Sequence, residues 1–233
     1  MKIAAANPLW GAPRIHGELG KLGVEVSERA VSRLVRRPRR PPSQTWRTFL
    51  TNHVAALGSI DFFTVPTFTG RVLFVFVVPL HYRRRIVHFN VTDHPTAAWT
   101  AQQVIDAFRH DTAPRWVLRD RDAIYGEAFQ RRVVGMGIGE VLSSPSGPWQ
   151  NAYCERFIGS VRRECLDHVI VFSAAGLQRL MDLYWAYYER PRTHLSLDKD
   201  APIPRPVVTR SQGCIVAIPQ VGGLHHRYER RAA

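Results

Sequence analysis

The sequence predicts a mixed α/β domain, built on a five-stranded sheet with helices on its faces. Strand-like segments follow one another between residues 54 and 91, and helical and strand patterns then alternate between residues 97 and 142. Two long helical patterns cover residues 150–168 and 173–190. Strands in series, then an alternation with helices, then helices are typical of a mixed sheet that helices cover.

The first three strands are predicted from their apolar content. Val54–Val65 is the first candidate, and Val72–Val78 is continuously apolar, which places it in the middle of the sheet. Arg85–Val91 alternates between apolar and polar residues, as a half-buried strand does. We therefore expect Val87, Phe89 and Val91 to lie on one face of the third strand, and His88 and Asn90 to lie on the other.

The remaining elements of the sheet alternate with helices. A helical pattern covers residues 97–109, and Trp116–Arg119 is predicted as the fourth strand. A short helix over residues 126–135 then leads to a fifth strand at Glu140–Leu142. The Ser, Gly and Pro residues of Ser143–Pro148 predict a loop before the first of the two long helices.

The N-terminal segment predicts two short helices over residues 13–37. Gly23 ends the first of them, and Ser27 is the expected N-cap of the second. The side chains expected to be buried recur at helical spacing; they are Ile15, Leu19, Leu22, Val31, Leu34 and Val35. The pattern fits half of a DNA-binding helix-turn-helix, and it fits an ordinary helical hairpin equally well.

Composition excludes several classes of protein. At 45% apolar residues the chain has too many apolar side chains to be disordered and enough to form a core. The longest apolar run, Val72–Leu80, is about half the length of a membrane span. The N-terminus lacks the apolar stretch of a signal peptide, and the three cysteines lack metal-ligand or disulfide spacing. We therefore expect a protein of the reducing cytoplasm.

Basic residues are concentrated at the two ends of the chain. The formal net charge is +13, and residues 1–47 contain ten basic and three acidic residues. Residues 201–233 contain five basic residues and one acidic residue, whereas residues 48–200 are nearly neutral. An Arg-rich proteome would explain why Arg outnumbers Lys, but it would not explain this distribution. The distribution predicts binding to nucleic acid.

Four segments follow from these patterns. They are a two-helix segment at residues 1–37, a basic Pro/Arg linker at 38–52, an α/β core at 53–206 and a basic C-terminal tail at 207–233. The paired histidines of the tail, His225 and His226, are interpreted as part of a solvated basic segment and not as metal ligands.

Carboxylates carry the predicted chemistry. Asp61 lies within an apolar strand, where an unpaired charge is costly. Asp120 and Asp122 follow the fourth strand directly, at the strand end where α/β sheets place their sites. Glu155 lies in the first turns of a helix, with Asn151 one turn earlier on the same face.

Two interpretations of these carboxylates remain open. In the first, the carboxylates converge on one or two Mg²⁺ or Mn²⁺ ions. These ions prefer oxygen ligands and could support an in-line phosphodiester displacement. Alternatively, Asp120 and Asp122 form ion pairs with neighbouring arginines and Glu155 is solvated.

The same residues resemble the integrase catalytic core of insertion-sequence transposases, which is similar to that of retroviral integrases and has the RNase H-like fold. Asp61, in Ser-Ile-Asp-Phe-Phe, resembles the first catalytic aspartate of the family, and Asp120 stands at the second. Glu155, in Asn-Ala-Tyr-Cys-Glu-Arg-Phe, resembles the family's glutamate, and it follows Asp120 by 35 positions, as in that family. Residues 9–37 resemble the second half of the helix-turn-helix region that precedes such cores.

The resemblance implies that residues 1–37 are a partial helix-turn-helix and that residues 53–206 are the integrase catalytic core. It also implies an activity, a cofactor and partners. It implies a DDE transposase or integrase in which Asp61, Asp120 and Glu155 hold Mg²⁺ or Mn²⁺ and catalyse DNA strand cleavage and strand transfer during DNA integration. The partners implied are the element ends, a target duplex and further copies of the chain. The location implied is the bacterial cytoplasm, at the nucleoid when DNA is bound.

Two departures from the family pattern leave alternatives. Asp122 stands where many members have glycine, so it competes with Asp120 as the second ligand. Members also carry a longer N-terminal region, which makes a truncated, non-catalytic DNA-binding relative the main alternative. An RNase H-like nuclease acting on other nucleic acids is a third possibility.

Nine arginines are expected to contact DNA. They are Arg29, Arg33, Arg36, Arg37, Arg39 and Arg40 near the N-terminus and Arg156, Arg162 and Arg163 on the glutamate helix. Arg162 is expected to be the best placed, because seven residues return it to the face of Glu155. We expect the Ser143–Pro148 loop to border the site, and His194 to be structural or to contact phosphate.

Overall fold

A computed structural model describes residues 3, 10, 12–34, 45–109, 112–144 and 148–232. The chain divides into two units, Met1–Thr45 and Trp46–Ala233. Among the described helices none is both long enough and apolar enough to cross a membrane.

The first unit contains the predicted pair of helices. Helix α1 (Ala12–Lys21) ends before Gly23, whose φ of +73° suits glycine at a helix C-terminus. Helix α2 (Glu28–Leu34) begins after Ser27, whose hydroxyl accepts a hydrogen bond from the Ala30 backbone N–H at 3.2 Å. Both helix boundaries therefore follow the signals in the sequence.

The packing of this helix pair is thinner than expected. Ile15 and Val31 are buried, but Leu22 and Leu34 are 64% and 67% exposed. The prediction that both leucines are buried was wrong, because two helices of this length bury only the side chains at their mutual contact. Val35 lies outside the described residues.

The second unit contains the sheet and the remaining helices. Its helices are α3 (Trp46–His53), α4 (Ala97–Ala107), α5 (Glu127–Gly135), α6 (Ala152–Glu164) and α7 (Ala174–Glu189). Its strands are β1 (Leu57–Ser59), β2 (Asp61–Pro66), β3 (Val72–Pro79), β4 (Ile86–Thr92), β5 (Trp116–Arg119), β6 (Gly139–Leu142), β7 (Cys214–Gln220) and β8 (His225–Arg231).

Strands β1 and β2 are consecutive parts of one extended segment that joins two half-sheets. Strand β1 pairs in parallel with β5, which pairs in parallel with β6. Strands β2, β3 and β4 form an antiparallel meander. Between the two halves, the Ile60 N–H donates to the Leu118 carbonyl at 2.9 Å. Counting β1 and β2 as one strand, the order is β4, β3, β1/β2, β5, β6, which is the predicted five-stranded mixed sheet of an RNase H-like fold.

Helices cover both faces of this sheet. On one face α6 and α7 pack over strand residues such as Phe63 and Val75. On the other face α4 and α5 pack over Ile60 and Phe76. The large, fully buried side chains of the two layers include Phe76, Phe129, Phe157, Leu177, Met181 and Tyr184.

A β-bulge changes the predicted faces of β4. The pairing of β3 with β4 shifts register between Val78 and Pro79, and Val87 is left without a partner. Ile86 therefore shares a core layer with Phe89, while Val87 packs in the opposite layer. The prediction that Val87 and Phe89 share one face was wrong for this reason.

The predicted linker contains a helix. Helix α3 occupies residues 46–53, whereas residues 38–44 lie outside the described part of the chain. Trp46, Leu50 and Val54 line a cavity together with Tyr153. Apolar residues spaced four apart give the helix a face to pack, which the Pro/Arg composition of the preceding residues concealed.

The predicted C-terminal tail contains a hairpin. Strands β7 and β8 pair along their whole length through a turn at Val221–Gly223. His225 donates a hydrogen bond from Nε2 to the Glu164 carbonyl, 2.8 Å away, and its ring stacks on that of Tyr187 at 4.4 Å. His225 is therefore packed on the core, and the interpretation of this histidine as solvated was wrong.

Candidate active site

Asp61 is the first residue of β2 and sits half-buried where the two half-sheets meet. Its Oδ1 accepts a hydrogen bond from the Phe62 backbone N–H at 2.8 Å. Its Oδ2 accepts one from the Asn151 side-chain amide at 3.0 Å. Both carboxylate oxygens are thus oriented, one by its own strand and the other by the start of α6.

Asp120 follows the strand that lies next to Asp61. Ser59 is paired with Leu118 in the parallel register, and continuing that register by two residues places Asp120 beside Asp61. The Asp120 carboxylate also accepts a hydrogen bond from the Asp122 backbone N–H at 3.1 Å. Asp122 instead uses its carboxylate to accept from the Ile124 N–H at 2.9 Å, within the following turn.

Glu155 is brought to the same edge by the anchoring of α6. The Asn151 amide donates to Asp61 and also lies 3.3 Å from the Ile60 carbonyl, which fixes the start of the helix over β2. Glu155 lies one turn later and is exposed. It therefore projects from the face of α6 that Asn151 ties to Asp61.

The electrostatics of Asp61 link the three carboxylates. Burial, together with the charges of Asp120 and Glu155, raises the pKa of Asp61 to about 7, although the hydrogen bonds from Phe62 and Asn151 lower it. The structure therefore brings Asp120 and Glu155 within electrostatic reach of Asp61.

These carboxylates carry uncompensated charge. Within the described ranges, no ion pair joins Asp61, Asp120 or Glu155 to a basic side chain. In the same ranges, no three His, Cys, Asp or Glu side chains are grouped closely enough to hold a metal ion as they stand. The side chains are thus gathered at one edge but not closed around a common point.

Arg119 supports the Asp120 turn, a role that the sequence analysis missed. Its guanidinium is 5% exposed, pairs with Glu140 of β6 and donates to the Asp120 carbonyl at 2.8 Å. It also lies over the ring of Tyr125, 5.0 Å from the centroid. Burial and the charges of Asp61 and Asp120 raise the pKa of Tyr125 well above its usual value. An arginine at the end of an apolar strand was the signal in the sequence.

A buried histidine supports the start of α6. His81 lies 2.6 Å from the Ser59 hydroxyl, and its ring stacks on Tyr153 at 3.9 Å. Burial lowers the pKa of His81 to about 3, so the ring is neutral near pH 7. No periodic pattern or motif indicates this contact, because the residues are far apart along the chain.

The predicted DNA-binding arginines of α6 do not form one cluster. Arg162 donates to the Thr64 carbonyl at 3.2 Å and lies over the Phe63 ring. Arg156 instead lines a cavity on another side of the helix, and Arg163 is exposed. On α2 the side chains of Arg29 and Arg33 are exposed, whereas Arg36, Arg37, Arg39 and Arg40 lie outside the described residues.

The loop before α6 is described only at its ends. The Ser144 backbone N–H donates to the Gln150 side chain at 2.6 Å, and residues 145–147 lie outside the described part. His194 is buried, hydrogen-bonded to the Tyr188 carbonyl at 3.1 Å and packed edge-on against the Tyr188 ring. Of the two roles considered for His194, these contacts are structural.

A protein-family model matches part of the chain. Residues 136–202 match the integrase core domain. The match includes α6 and Glu155, and it begins after Asp61 and Asp120.

Two further likenesses extend over nearly the whole chain. An uncharacterised 39.2 kDa protein of insertion element IS476 from Xanthomonas euvesicatoria is 24% identical over 97% of this chain and 68% of its own length. A chain of the simian T-cell lymphotropic virus intasome, solved in complex with PP2A regulatory subunit B56 gamma, is 10% identical with a TM-score of 0.52. That alignment covers 94% of this chain and 86% of the other, and it bears on the fold alone.

These matches confirm the resemblance to transposase and integrase cores. They support a role of the chain in DNA integration or transposition.

Proposed function

We propose that this chain is a DDE transposase or integrase that cleaves DNA strands and transfers them to a target duplex. The observation that carries the proposal is the electrostatic state of Asp61. A half-buried carboxylate lies beside two others, at the edge where parallel strands end, without a basic partner among the described residues. Such an arrangement is costly for folding and is suited to holding cations.

The three side chains fit hard divalent cations, Mg²⁺ or Mn²⁺. Asp61, Asp120 and Glu155 offer only oxygen ligands, and their negative charge is not neutralised by ion pairs in the described ranges. When bound, such ions help to activate a water or 3′-hydroxyl nucleophile and to stabilise the leaving oxygen of a phosphodiester displacement.

The chain's own residues prepare this site. Asn151 orients Asp61 and ties the helix of Glu155 to the sheet. Arg119 holds the backbone of Asp120. With its pKa near 7, Asp61 keeps a proton on its carboxylate below neutral pH and releases it as the pH rises. Arg162 uses one guanidinium nitrogen on Thr64 and is left with further donors for DNA phosphates.

We propose that the partners are duplex DNA, at the element ends and at the target, and further copies of this chain. The exposed Arg29 and Arg33 on α2 support duplex binding by the N-terminal helices, because basic side chains on a short helix pair contact phosphates and groove edges.

The test is metal-dependent cleavage and joining of duplexes taken from the DNA that flanks the gene. We expect Mg²⁺ or Mn²⁺ to support both steps in the wild type. Asp61→Asn, Asp120→Asn and Glu155→Gln should each reduce them by several orders of magnitude, whereas the matched control Asp122→Asn should retain most activity.

Each other outcome identifies a different protein. DNA binding without cleavage would indicate the non-catalytic relative. Cleavage without joined products would indicate an RNase H-like nuclease. Loss of activity in Asp122→Asn but not in Asp120→Asn would show that Asp122, and not Asp120, is the second metal ligand.

A further inference from the structure

Three consecutive arginines form the turn between β3 and β4, and two of them are anchored. Arg83 donates to Asp200 and to the carbonyls of Ala201 and Pro202, at 2.6–2.9 Å. Arg85 donates to Glu189 at 2.7 Å. These contacts tie both sides of the turn to the segment that follows α7 and to α7 itself.

The turn between the anchors is strained. Arg83 and Arg84 have φ values of +50° and +58°, in the left-handed region that favours glycine. Two successive side-chain-bearing residues in this region are held only where the surrounding structure over-determines them, and such strain clusters at functional sites. The anchors therefore hold Arg84 in a position that its own backbone disfavours.

Arg84 is directed into a cavity of about 150 Å³ at the first turn of α6. Arg156 lines the same cavity, with Tyr153 and Tyr188 as its aromatic walls. The Arg84 guanidinium lies over the Tyr153 ring, 5.6 Å from the centroid. No carboxylate of the described residues lines the cavity, so its two arginines face each other without an anion.

This pairing of like charges is unfavourable in the free protein. Burial lowers the pKa of Arg84, and the charge of Arg156 lowers it further. Arg83 and Arg85, on either side of Arg84, each form an ion pair with a carboxylate. Arg84 therefore differs from both of its neighbours in having no carboxylate partner among the described residues. At about 150 Å³, the cavity has room for a tetrahedral oxyanion.

We propose that Arg84 and Arg156 bind one phosphate group, and that this group is a backbone phosphodiester of the DNA strand that enters the active site. Two guanidinium forks match the oxygens of a phosphate, and the first turn of α6 adds the positive end of a helix dipole. Arg156 follows Glu155 directly, so the bound phosphate would sit next to the helix turn that carries the catalytic carboxylate. The proposal rests on the proposed DNA substrate but does not depend on catalysis.

The experiment measures duplex DNA affinity against salt in the full chain carrying Asp61→Asn, which removes cleavage from the measurement. Arg84→Gln and Arg156→Gln should each weaken binding about tenfold near 0.1 M salt, as loss of a charged hydrogen bond does. Each should also flatten the plot of log affinity against log salt by about 0.9, the value of one phosphate contact. The double variant should lose little more than either single variant, because both side chains hold the same group.

Matched variants separate this contact from a general loss of charge. Arg179→Gln removes an exposed arginine of α7 and should change the salt slope much less. Arg84→Lys should keep most of the slope. Arg84→Gly relaxes the left-handed backbone, so it should lose the same slope as Arg84→Gln in a protein that folds without this strain.

Several results would overturn the proposal. If Arg84→Gln and Arg179→Gln change the salt slope of DNA affinity equally, Arg84 does not contact a phosphate. Additive losses in the double variant would assign the arginines to two phosphates. If inorganic phosphate raises the melting temperature of the wild type but not of Arg84→Gln, while DNA binding is the same in both, the ligand is a free anion. Failure of the wild type to cleave DNA would leave these binding results unchanged and would instead refute the proposed catalysis.

Discussion

At Asp61, burial and the charges of Asp120 and Glu155 raise the pKa to about 7. The contribution of this residue to the free energy of unfolding therefore depends on pH. Below about pH 4 the carboxyl is protonated in both the folded and the unfolded chain. Between that pH and 7 the unfolded chain releases the proton first, and the folded state loses stability as the pH rises.

We therefore expect the metal-free wild type to lose up to about 4 kcal/mol of unfolding free energy, relative to Asp61→Asn, between pH 4 and pH 8. Urea unfolding in the presence of a chelator measures this difference. Asp122→Asn is the control and should follow the wild type. Parallel pH curves for the wild type and Asp61→Asn would show that Asp61 is not held in this environment.

Asn151 is the residue that joins helix α6 to the sheet at the site. Asn151→Ala removes its hydrogen bonds to Asp61 and Ile60, and we expect a loss of about 1–3 kcal/mol in unfolding free energy. Because the Asn151 hydrogen bond lowers the pKa of Asp61, the pH profile of DNA cleavage should shift to higher pH. Asn52→Ala, at an exposed asparagine of α3, should change neither quantity.

The pair formed by Arg119 and Glu140 is buried beneath the Asp120 turn. Glu140→Ala leaves the Arg119 charge buried without a partner, and we expect a loss of about 3–5 kcal/mol. Glu127→Ala breaks an exposed pair with Arg131, at 3.8 Å, and should stay within about 0.5 kcal/mol. Similar losses in the two variants, measured by urea unfolding, would mean that Arg119 is solvated.

Residue types and spacing single out the carboxylates of the candidate site, but not the residues that support them. Asp61, Asp120 and Glu155 stand out because an acid in an apolar strand, or at a strand end, is unusual. The hydrogen bond from Asn151 to Asp61 joins residues ninety positions apart, and the pairing of Arg119 with Glu140 depends on strand register. Such contacts follow from the assembled sheet, and no local pattern reports them.

Among the elements, α3 bears on where the second unit begins. Its Trp46 and Leu50 line a cavity with Tyr153, two residues before Glu155. We expect a chain of residues 54–233 to melt several degrees below one of residues 46–233, because it loses this apolar contact. Equal melting temperatures would show that α3 contributes nothing to the fold of this unit.

The elements themselves were predicted well where their pattern was strong. Strand β5 and the two long helices were found from apolar periodicity, and most boundaries agree to within a few residues. The hairpin of β7 and β8 was missed because basic residues and Pro219 conceal its alternation. The bulge at Val78 and Pro79 arises from pairing between strands, which the sequence of β4 does not record.

For the whole molecule, the distribution of charge between the two units predicts how much each unit contributes to DNA binding. Residues 1–45 carry nine basic and three acidic residues. We expect their removal to weaken duplex binding and to flatten its salt dependence, because fewer counterions are released. Arg29→Gln with Arg33→Gln, in the full chain, should reproduce part of this loss. Unchanged affinity and slope after the truncation would assign binding to residues 46–233.

The junction of β1 and β2 at Ile60, where the two half-sheets meet, also bears on the order in which the molecule folds. The meander of β2, β3 and β4 pairs segments that are neighbours in sequence, so it can form early. Strand β1 pairs with β5 only after the long stretch of chain between Leu57 and Trp116 has been brought together. Asp61 belongs to the early half and Asp120 to the late half. A nascent chain that has folded only its meander therefore has one acid of the three, and the proposed site is assembled only when the sheet is complete.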